Sequence, residues 1–147
     1  MLDKIKNLRE KTGAGMVEIK KALEETGGDE AKTLEILRAH GQEKAQKKSD
    51  RVAGEGFIVS YVHPNGKVGS MVKLMCETDF VAMNDDFKNL ARDIAMHVAA
   101  MNPEDAVALL AQPFVKNPEI TVGELIIQNI SKIGENIQVG EFSRMEI

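Results

Sequence analysis

The chain has 147 residues and a mass of 16.2 kDa, of which 43% are hydrophobic and 29% charged. This composition allows a buried core and excludes wholesale disorder, and the length fits one ordinary domain or two small ones. No run approaches eighteen apolar residues and the N-terminus has no apolar signal region, so a cytoplasmic protein without a membrane partner is predicted. The net charge of −4 argues against general binding to nucleic-acid backbones, so no direct nucleic-acid partner is expected.

The charge is unevenly distributed along the chain. Residues 1–53 contain twelve Lys/Arg and ten Asp/Glu, whereas residues 54–147 contain seven and thirteen. The change falls beside two glycines, which is typical of a boundary between modules. The predicted domains are a three-helix domain over 1–42, a basic linker over 43–54 and an α+β core domain over 55–147.

Apolar residues recur with helical spacing through the first forty residues. Three short helices are predicted, separated by glycines at 13–15 and 27–28, with Asp29 capping the third. The predicted apolar stripes are Leu2, Ile5 and Leu8, then Met16, Ile19 and Leu23, then Ala31, Leu34 and Leu37. About forty residues is near the lower limit for an independent fold. A bundle this small has no room for an enclosed pocket, so binding to another protein is its expected role.

The glycine loop at residues 13–16 has two interpretations. It is either an ordinary turn with Met16 in the core, or a partner-binding loop like that of ubiquitin-associated domains. The polar, basic residues 43–51 that follow the bundle are expected to form a solvated helix end or a linker.

From residue 56 onward the apolar period changes to two. Alternating segments at 57–62 and 68–76 flank Asn65-Gly66, a pair that accepts the positive φ of a turn, which predicts a β-hairpin. A long helix is predicted to begin at Asn84 or Asp85, and a shorter one at 102–104 with proline in its first turn.

The remaining sequence predicts one more helix and one more strand. Thr121 and Glu124 have the spacing of a capping box before an apolar helix, and residues 136–146 are strand-like with a bulge at Gly140. The predicted class is therefore α+β: a three-stranded antiparallel sheet with helices on one face. Apolar side chains remain on the other face, which a second copy of the chain would cover, giving a homodimer.

Signatures of chemical catalysis are missing from the sequence. There is no phosphate-binding glycine loop and no zinc-protease motif, and the three histidines lie in different elements. Cys76 could act as a nucleophile with His63 or His97 as its base, but it lies within an apolar strand, where a thiol normally acts as a small hydrophobic group. We therefore expect that the protein is not an enzyme and that it has no catalytic residue, no metal and no cofactor.

One segment, Glu77-Thr78-Asp79-Phe80-Val81, lies at the predicted corner between a strand and the long helix. Phe80 at such a corner is either tucked beneath the hairpin or presented to a partner, and the pattern leaves both interpretations open.

Four strings of residues, in order along the chain, resemble a known family. They are Leu8-Arg9-Glu10-Lys11-Thr12-Gly13-Ala14-Gly15-Met16, Lys20-Lys21-Ala22-Leu23, Cys76-Glu77-Thr78-Asp79-Phe80-Val81-Ala82 and Ile133-Gly134-Glu135-Asn136-Ile137. They cover both modules, and together they resemble bacterial translation elongation factor Ts in its short form with a single core repeat.

The resemblance implies guanine-nucleotide exchange on elongation factor Tu. The protein would bind this partner both in its GDP-bound form and in its nucleotide-free form. Thr78, Asp79, Phe80 and Val81 match the corner that intrudes beside the partner's nucleotide site in this family. Phe80 would be the wedge between partner helices and Asp79 would hold the corner. Displacement of the partner's magnesium ion would then release GDP.

The resemblance also implies a docking role for the N-terminal module, which is ubiquitin-associated-like in this family. Arg9, Met16, Val17 and Lys20 match its docking positions, with Val17 replacing a methionine of some relatives.

Two further positions and one departure follow from the same resemblance. Lys48 matches a basic residue after the bundle, and His63 resembles a hairpin histidine from the second core repeat of longer relatives. This chain has room for one repeat only, and short relatives form homodimers through the core sheet.

Two other classes of function are alternatives to an exchange factor. The first is an adaptor that binds proteins without changing nucleotide affinity. The second is a cysteine-dependent enzyme built on Cys76.

Overall fold

The computed structural model describes all 147 residues, in seven helices and five strands. The helices are α1 (Leu2–Thr12), α2 (Met16–Glu25), α3 (Glu30–Lys48), α4 (Asp79–Ala82), α5 (Asp85–Met101), α6 (Ala106–Ala111) and α7 (Val122–Ile133). The strands are β1 (Glu55–Val62), β2 (Val68–Cys76), β3 (Pro113–Phe114), β4 (Asn117–Thr121) and β5 (Gln138–Glu146). The predicted α+β class is confirmed.

The chain forms two compact units. The first unit comprises Met1–Asp50 with Ile127–Gly134, and the second unit comprises Arg51–Ile126 with Glu135–Ile147. Residues 43–48, part of the predicted linker, form the last turns of α3.

The first unit contains the three predicted N-terminal helices around one small core. That core consists of Ile5, Leu8, Ala14, Ile19, Ala22, Leu23 and Leu37. Leu2 was expected in the same stripe but is exposed, as the first residue of α1. Asp29 caps α3 as predicted, with its carboxylate accepting a hydrogen bond from the Lys32 N–H at 3.1 Å.

Gly13 ends α1 in the left-handed conformation, with φ of +71°. Its N–H donates to the Arg9 carbonyl at 2.8 Å, and a Cβ here would collide with the Gln128 carbonyl oxygen. Both the backbone conformation and the close approach of another chain segment therefore require glycine at this position.

The second unit is built on an antiparallel sheet in the order β1-β2-β5. The face towards α5 buries Val59, Val72 and Leu74, and the Ser70 hydroxyl donates to the Ala95 carbonyl at 2.6 Å. The predicted bulge is confirmed: between the pairs Val72–Phe142 and Leu74–Val139, β5 has one residue more than β2.

The hairpin and the long helix also form as predicted. Gly66 has φ of +69°, and the Asn65 side chain accepts a hydrogen bond from the Lys67 N–H at 3.0 Å. Asn84 caps α5 by accepting from the Asp86 N–H at 2.8 Å.

The shorter helix does not begin at 102–104, as the sequence predicted. Asn102 ends α5 with φ of +46°, and α6 begins at Ala106, because Asp105 accepts a hydrogen bond from the Ala108 N–H at 2.8 Å. The sequence analysis also missed the ribbon formed by β3 and β4. Strands of two and five residues are too short to give a clear alternating pattern.

Candidate protein-binding site

The corner between β2 and α5 is a tight, capped turn. β2 ends at Cys76, and α4 is a single turn that begins at Asp79. Thr78 is its N-cap residue, since its hydroxyl oxygen accepts a hydrogen bond from the Val81 N–H at 3.3 Å. The short polar segment between strand and helix thus forces the chain to turn abruptly at this point.

Phe80 projects from this turn into solvent, with 88% of its surface exposed. Asp79 beside it is also exposed, Val81 is half-buried, and Ala82 faces inward. The interpretation that Phe80 is tucked beneath the hairpin is therefore wrong. Exposed apolar side chains are typical of an interaction site when they belong to a larger patch.

Met83 extends the apolar surface of the corner and was missed by the sequence analysis. Its side chain is 65% exposed, three residues after Phe80. Residues three apart in a helical turn are neighbours, so the two side chains offer one apolar patch. The same three-residue spacing is visible in the sequence, where Met83 follows directly after Ala82.

The corner is held by residues that follow α7. One carboxylate oxygen of Glu135 accepts hydrogen bonds from the N–H groups of Glu77 and Thr78, at 3.0 and 3.1 Å. The other accepts from the Thr78 hydroxyl at 2.7 Å. In return, the Glu77 carboxylate accepts from the Asn136 N–H at 2.6 Å. Glu135 and Asn136 belong to the last of the four strings, and the sequence analysis assigned no role to either residue.

Cys76 lies beneath the corner and is fully buried. Burial raises the pKa of its thiol to about 11, and the negative charge of Glu135 adds to the shift. The thiol donates a hydrogen bond to the Thr78 carbonyl at 3.2 Å. A thiol that is protonated at neutral pH and closed off from solvent is a poor nucleophile.

The two histidines considered as its base are bonded elsewhere. His63 Nδ1 lies 3.0 Å from the Tyr61 hydroxyl, and both ring nitrogens of His97 are used, with Gln112 and with the Val115 N–H. The geometry therefore gives no support to a cysteine-dependent enzyme.

The expected docking residues of the first unit are on its surface. Met16 and Val17 begin α2 with 45% and 82% of their surfaces exposed, and Arg9 and Lys20 are exposed as well. The interpretation that places Met16 in the core is wrong, because α2 buries Ile19, Ala22 and Leu23 instead.

A shallow groove between α2 and α3 adjoins these residues. Met16 and Val17 line it together with His40 and Lys44. Glu18 links the two helices there, since its carboxylate accepts from Lys44 Nζ at 2.7 Å and lies 3.2 Å from His40 Nδ1. The groove thus combines two exposed apolar side chains with a polar edge.

Lys48 and His63 are the last two predicted site residues. Lys48 is the half-buried final residue of α3 in the first unit, and His63 is exposed in the hairpin loop of the second unit.

The structure also bears on metals and membranes. Nowhere does it bring three or more His, Cys, Asp or Glu side chains into an arrangement that could hold a metal ion. None of its helices combines the length and apolar character needed to cross a membrane.

Comparison with known proteins identifies the family. The family model described as Elongation factor TS matches residues 3–104 and 77–147. Elongation factor Ts of Carboxydothermus hydrogenoformans is 41% identical to this chain. The alignment has 188 positions and covers 97% of this chain and 87% of that protein. The proteins of the same name from Thermodesulfovibrio yellowstonii and Fervidobacterium nodosum are 41% and 43% identical, over 97% of this chain and 94% and 95% of theirs.

These alignments contain more positions than the chain has residues, so the relatives carry residues within the matched span that have no counterpart here. The matches extend over both compact units and include the strings that carried the resemblance. The chain therefore belongs to the elongation factor Ts family, which acts in translation elongation.

Proposed function

We propose that this protein is a guanine-nucleotide exchange factor for elongation factor Tu in the cytoplasm. It binds the GDP-bound partner, displaces the magnesium ion beside the nucleotide and promotes release of GDP. No chemical bond is made or broken by its own residues, so it is not an enzyme. The partner in its nucleotide-free form is the species it binds most tightly.

The observation that carries this proposal is the presentation of Phe80. The side chain is 88% exposed at the tip of a capped turn, where it is available for burial in a partner. A buried aromatic anchor contributes roughly 2–4 kcal/mol at an interface. Weakening a bound nucleotide about 1,000-fold requires about 4 kcal/mol. The free energy of burying one aromatic wedge, together with the loss of metal coordination, is thus large enough to weaken nucleotide binding by this amount.

Exchange by this route is a coupling between two ligands of one partner. The factor and GDP each weaken the binding of the other by the same factor, because the coupling is reciprocal. Thr78, Asp79, Phe80 and Val81 supply the contacts that compete with the nucleotide. The family resemblance gives Asp79, the exposed first residue of α4, the role of holding the corner, and its carboxylate would do so through contact with the partner, since it has no hydrogen bond within this chain.

The first unit supplies the affinity for the partner's GTPase domain. Arg9, Met16, Val17 and Lys20 provide exposed cationic and apolar groups for this contact. Lys48 and His63 make additional contacts with the partner.

The protein acts as a homodimer through the uncovered face of its sheet. Ile58, Val62 and Met71 are exposed there, on the face opposite α5. Met145 joins them, because it is paired with Gly69, which is in turn paired with Val62. Four exposed apolar side chains on one flat face form the kind of patch that symmetric association covers.

The test is the release of fluorescent GDP from purified elongation factor Tu. Substoichiometric wild-type protein is expected to accelerate release, and Phe80→Ala is expected to abolish the acceleration. Val107→Ala is the matched control, because it shortens an exposed apolar side chain on α6. Binding without any acceleration by the wild-type protein would instead establish the adaptor function.

A further inference from the structure

We infer that Glu135 is a positioning residue for nucleotide exchange: its carboxylate fixes the backbone of Glu77 and Thr78 and thereby aims Phe80 at the partner. This inference rests on the proposed exchange function. It assigns a role to Glu135 and Asn136, which lie 57 and 58 positions along the chain from Thr78 and do not form part of the exposed patch.

The carboxylate of Glu135 is used fully by the corner. It accepts the N–H groups of two successive residues on one oxygen and the Thr78 hydroxyl on the other, at distances from 2.7 to 3.1 Å. Hydrogen bonds to an ionised acceptor are about twice as strong as those between neutral groups. Three of them converge on the two residues that precede α4.

A second set of bonds secures the same place from the other side. The Glu77 carboxylate accepts from the Asn136 N–H at 2.6 Å and lies 3.7 Å from the Arg51 guanidinium. The buried Asn136 side chain donates to the Arg51 carbonyl at 2.8 Å. Asn136, three residues after the end of α7, and Arg51, four residues before the start of β1, are thus both bonded to the corner, which leaves it little freedom to shift.

The support that the corner has of its own is small, consisting of the Thr78 cap and the buried Ala82 side chain. α4 has four residues, fewer than an isolated helix needs for stability. Phe80 is exposed, so no packing around its ring fixes its direction. The direction of the ring is set by the backbone of α4, and the start of α4 is set by Thr78.

The physical consequence is preorganisation. A wedge whose backbone is already ordered before binding loses less conformational entropy when it inserts, so more of its burial energy is available to weaken the nucleotide. Loss of Glu135 would leave Phe80 present and still apolar but no longer held in the productive direction. The defect should therefore appear in the step that follows docking.

The experiment compares Glu135→Ala and Glu135→Gln with Glu119→Gln. The glutamine variant keeps the size of the side chain, removes the charge and replaces one acceptor oxygen with an NH2 donor. Glu119→Gln removes the same charge from an exposed position on β4. Three quantities are measured for each: the maximal rate of fluorescent GDP release, the factor concentration that gives half of it, and the hydrogen exchange of the Glu77 and Thr78 amides in the free protein.

For Glu135→Ala, we expect about a tenfold fall in the maximal rate, with less than about a threefold change in the half-saturating concentration. The Glu77 and Thr78 amides should exchange faster. Glu135→Gln should lie between Ala and wild type, and the control should match wild type. A purely structural role would instead lower the thermal midpoint and alter amides throughout the second unit.

The outcomes separate this inference from the proposed function. An unchanged maximal rate in Glu135→Ala, with active wild-type protein, overturns the inference and leaves the exchange function standing. If the wild-type protein does not accelerate GDP release, the proposed function and this inference are both overturned as statements about nucleotide exchange. The hydrogen exchange of the Glu77 and Thr78 amides then decides whether Glu135 orders the corner. If the alanine variant does not fold, the glutamine variant provides the same comparison.

Discussion

The buried His97 on α5 and the half-buried Gln112 after α6 are joined by a hydrogen bond of 2.8 Å between Nε2 and Oε1. The other ring nitrogen, Nδ1, accepts from the Val115 N–H at 3.1 Å. An accepting Nδ1 places the proton on Nε2, so the imidazole is neutral and donates to Gln112. Burial lowers the pKa of His97 from its ordinary value of 6.5, because a charged ring would be desolvated.

Stability should consequently fall in mild acid. Between the lowered pKa of the folded state and 6.5, the unfolded chain binds more protons than the folded one, so the free energy of unfolding decreases as pH falls. The unfolding temperature should drop between about pH 7.5 and about pH 5.5. In His97→Gln this dependence should be weaker, as followed by circular dichroism. An equal pH dependence in both proteins would contradict the assignment.

The Cys76 thiol should be inert in the folded protein. With its pKa raised to about 11 and its side chain buried, it should react with a disulfide reagent at about pH 8 only after denaturation. Cys76→Ser should release GDP from the partner at the wild-type rate. A fall to zero with the fold retained would restore the cysteine-dependent enzyme as a hypothesis.

The sheet face gives a prediction about oligomeric state. Light scattering should give twice the 16.2 kDa chain mass for the wild-type protein at micromolar concentration. Met71→Lys places a charge in the middle of the exposed face and should give the single-chain mass. Val107→Lys, on α6, should leave the dimer intact. A wild-type monomer with full exchange activity would disprove the dimer.

Docking and exchange should be separable by mutation. Val17 is 82% exposed at the start of α2 and lies outside the corner. Val17→Asp should raise the half-saturating factor concentration about tenfold and leave the maximal release rate nearly unchanged. Phe80→Ala should show the opposite pattern in the same assay. If both variants lowered only the maximal rate, the first unit would have no separate docking role.

Local sequence signals accounted for most of the secondary structure. Asp29 and Asn84 cap their helices, Asn65-Gly66 forms the hairpin turn, and Gly140 lies in the bulge, each because a short-range preference determines the local backbone. The start of α6 was misplaced because two adjacent signals compete there. Pro103 suits a first helical turn, but Asn102 ends α5 and Asp105 supplies the cap.

The sequence determined the composition of the site, through the motif at 77–81 and its family resemblance. Only the tertiary structure decided which way its residues face. Tucked and exposed positions for Phe80 satisfy the same local pattern, and so do buried and exposed positions for Met16. The direction of Phe80 depends on Glu135, a residue 57 positions away from Thr78, whose hydrogen bonds exist only once the sheet and α7 have formed. Periodicity and capping act over a few residues, whereas the partners of a corner are chosen by the fold.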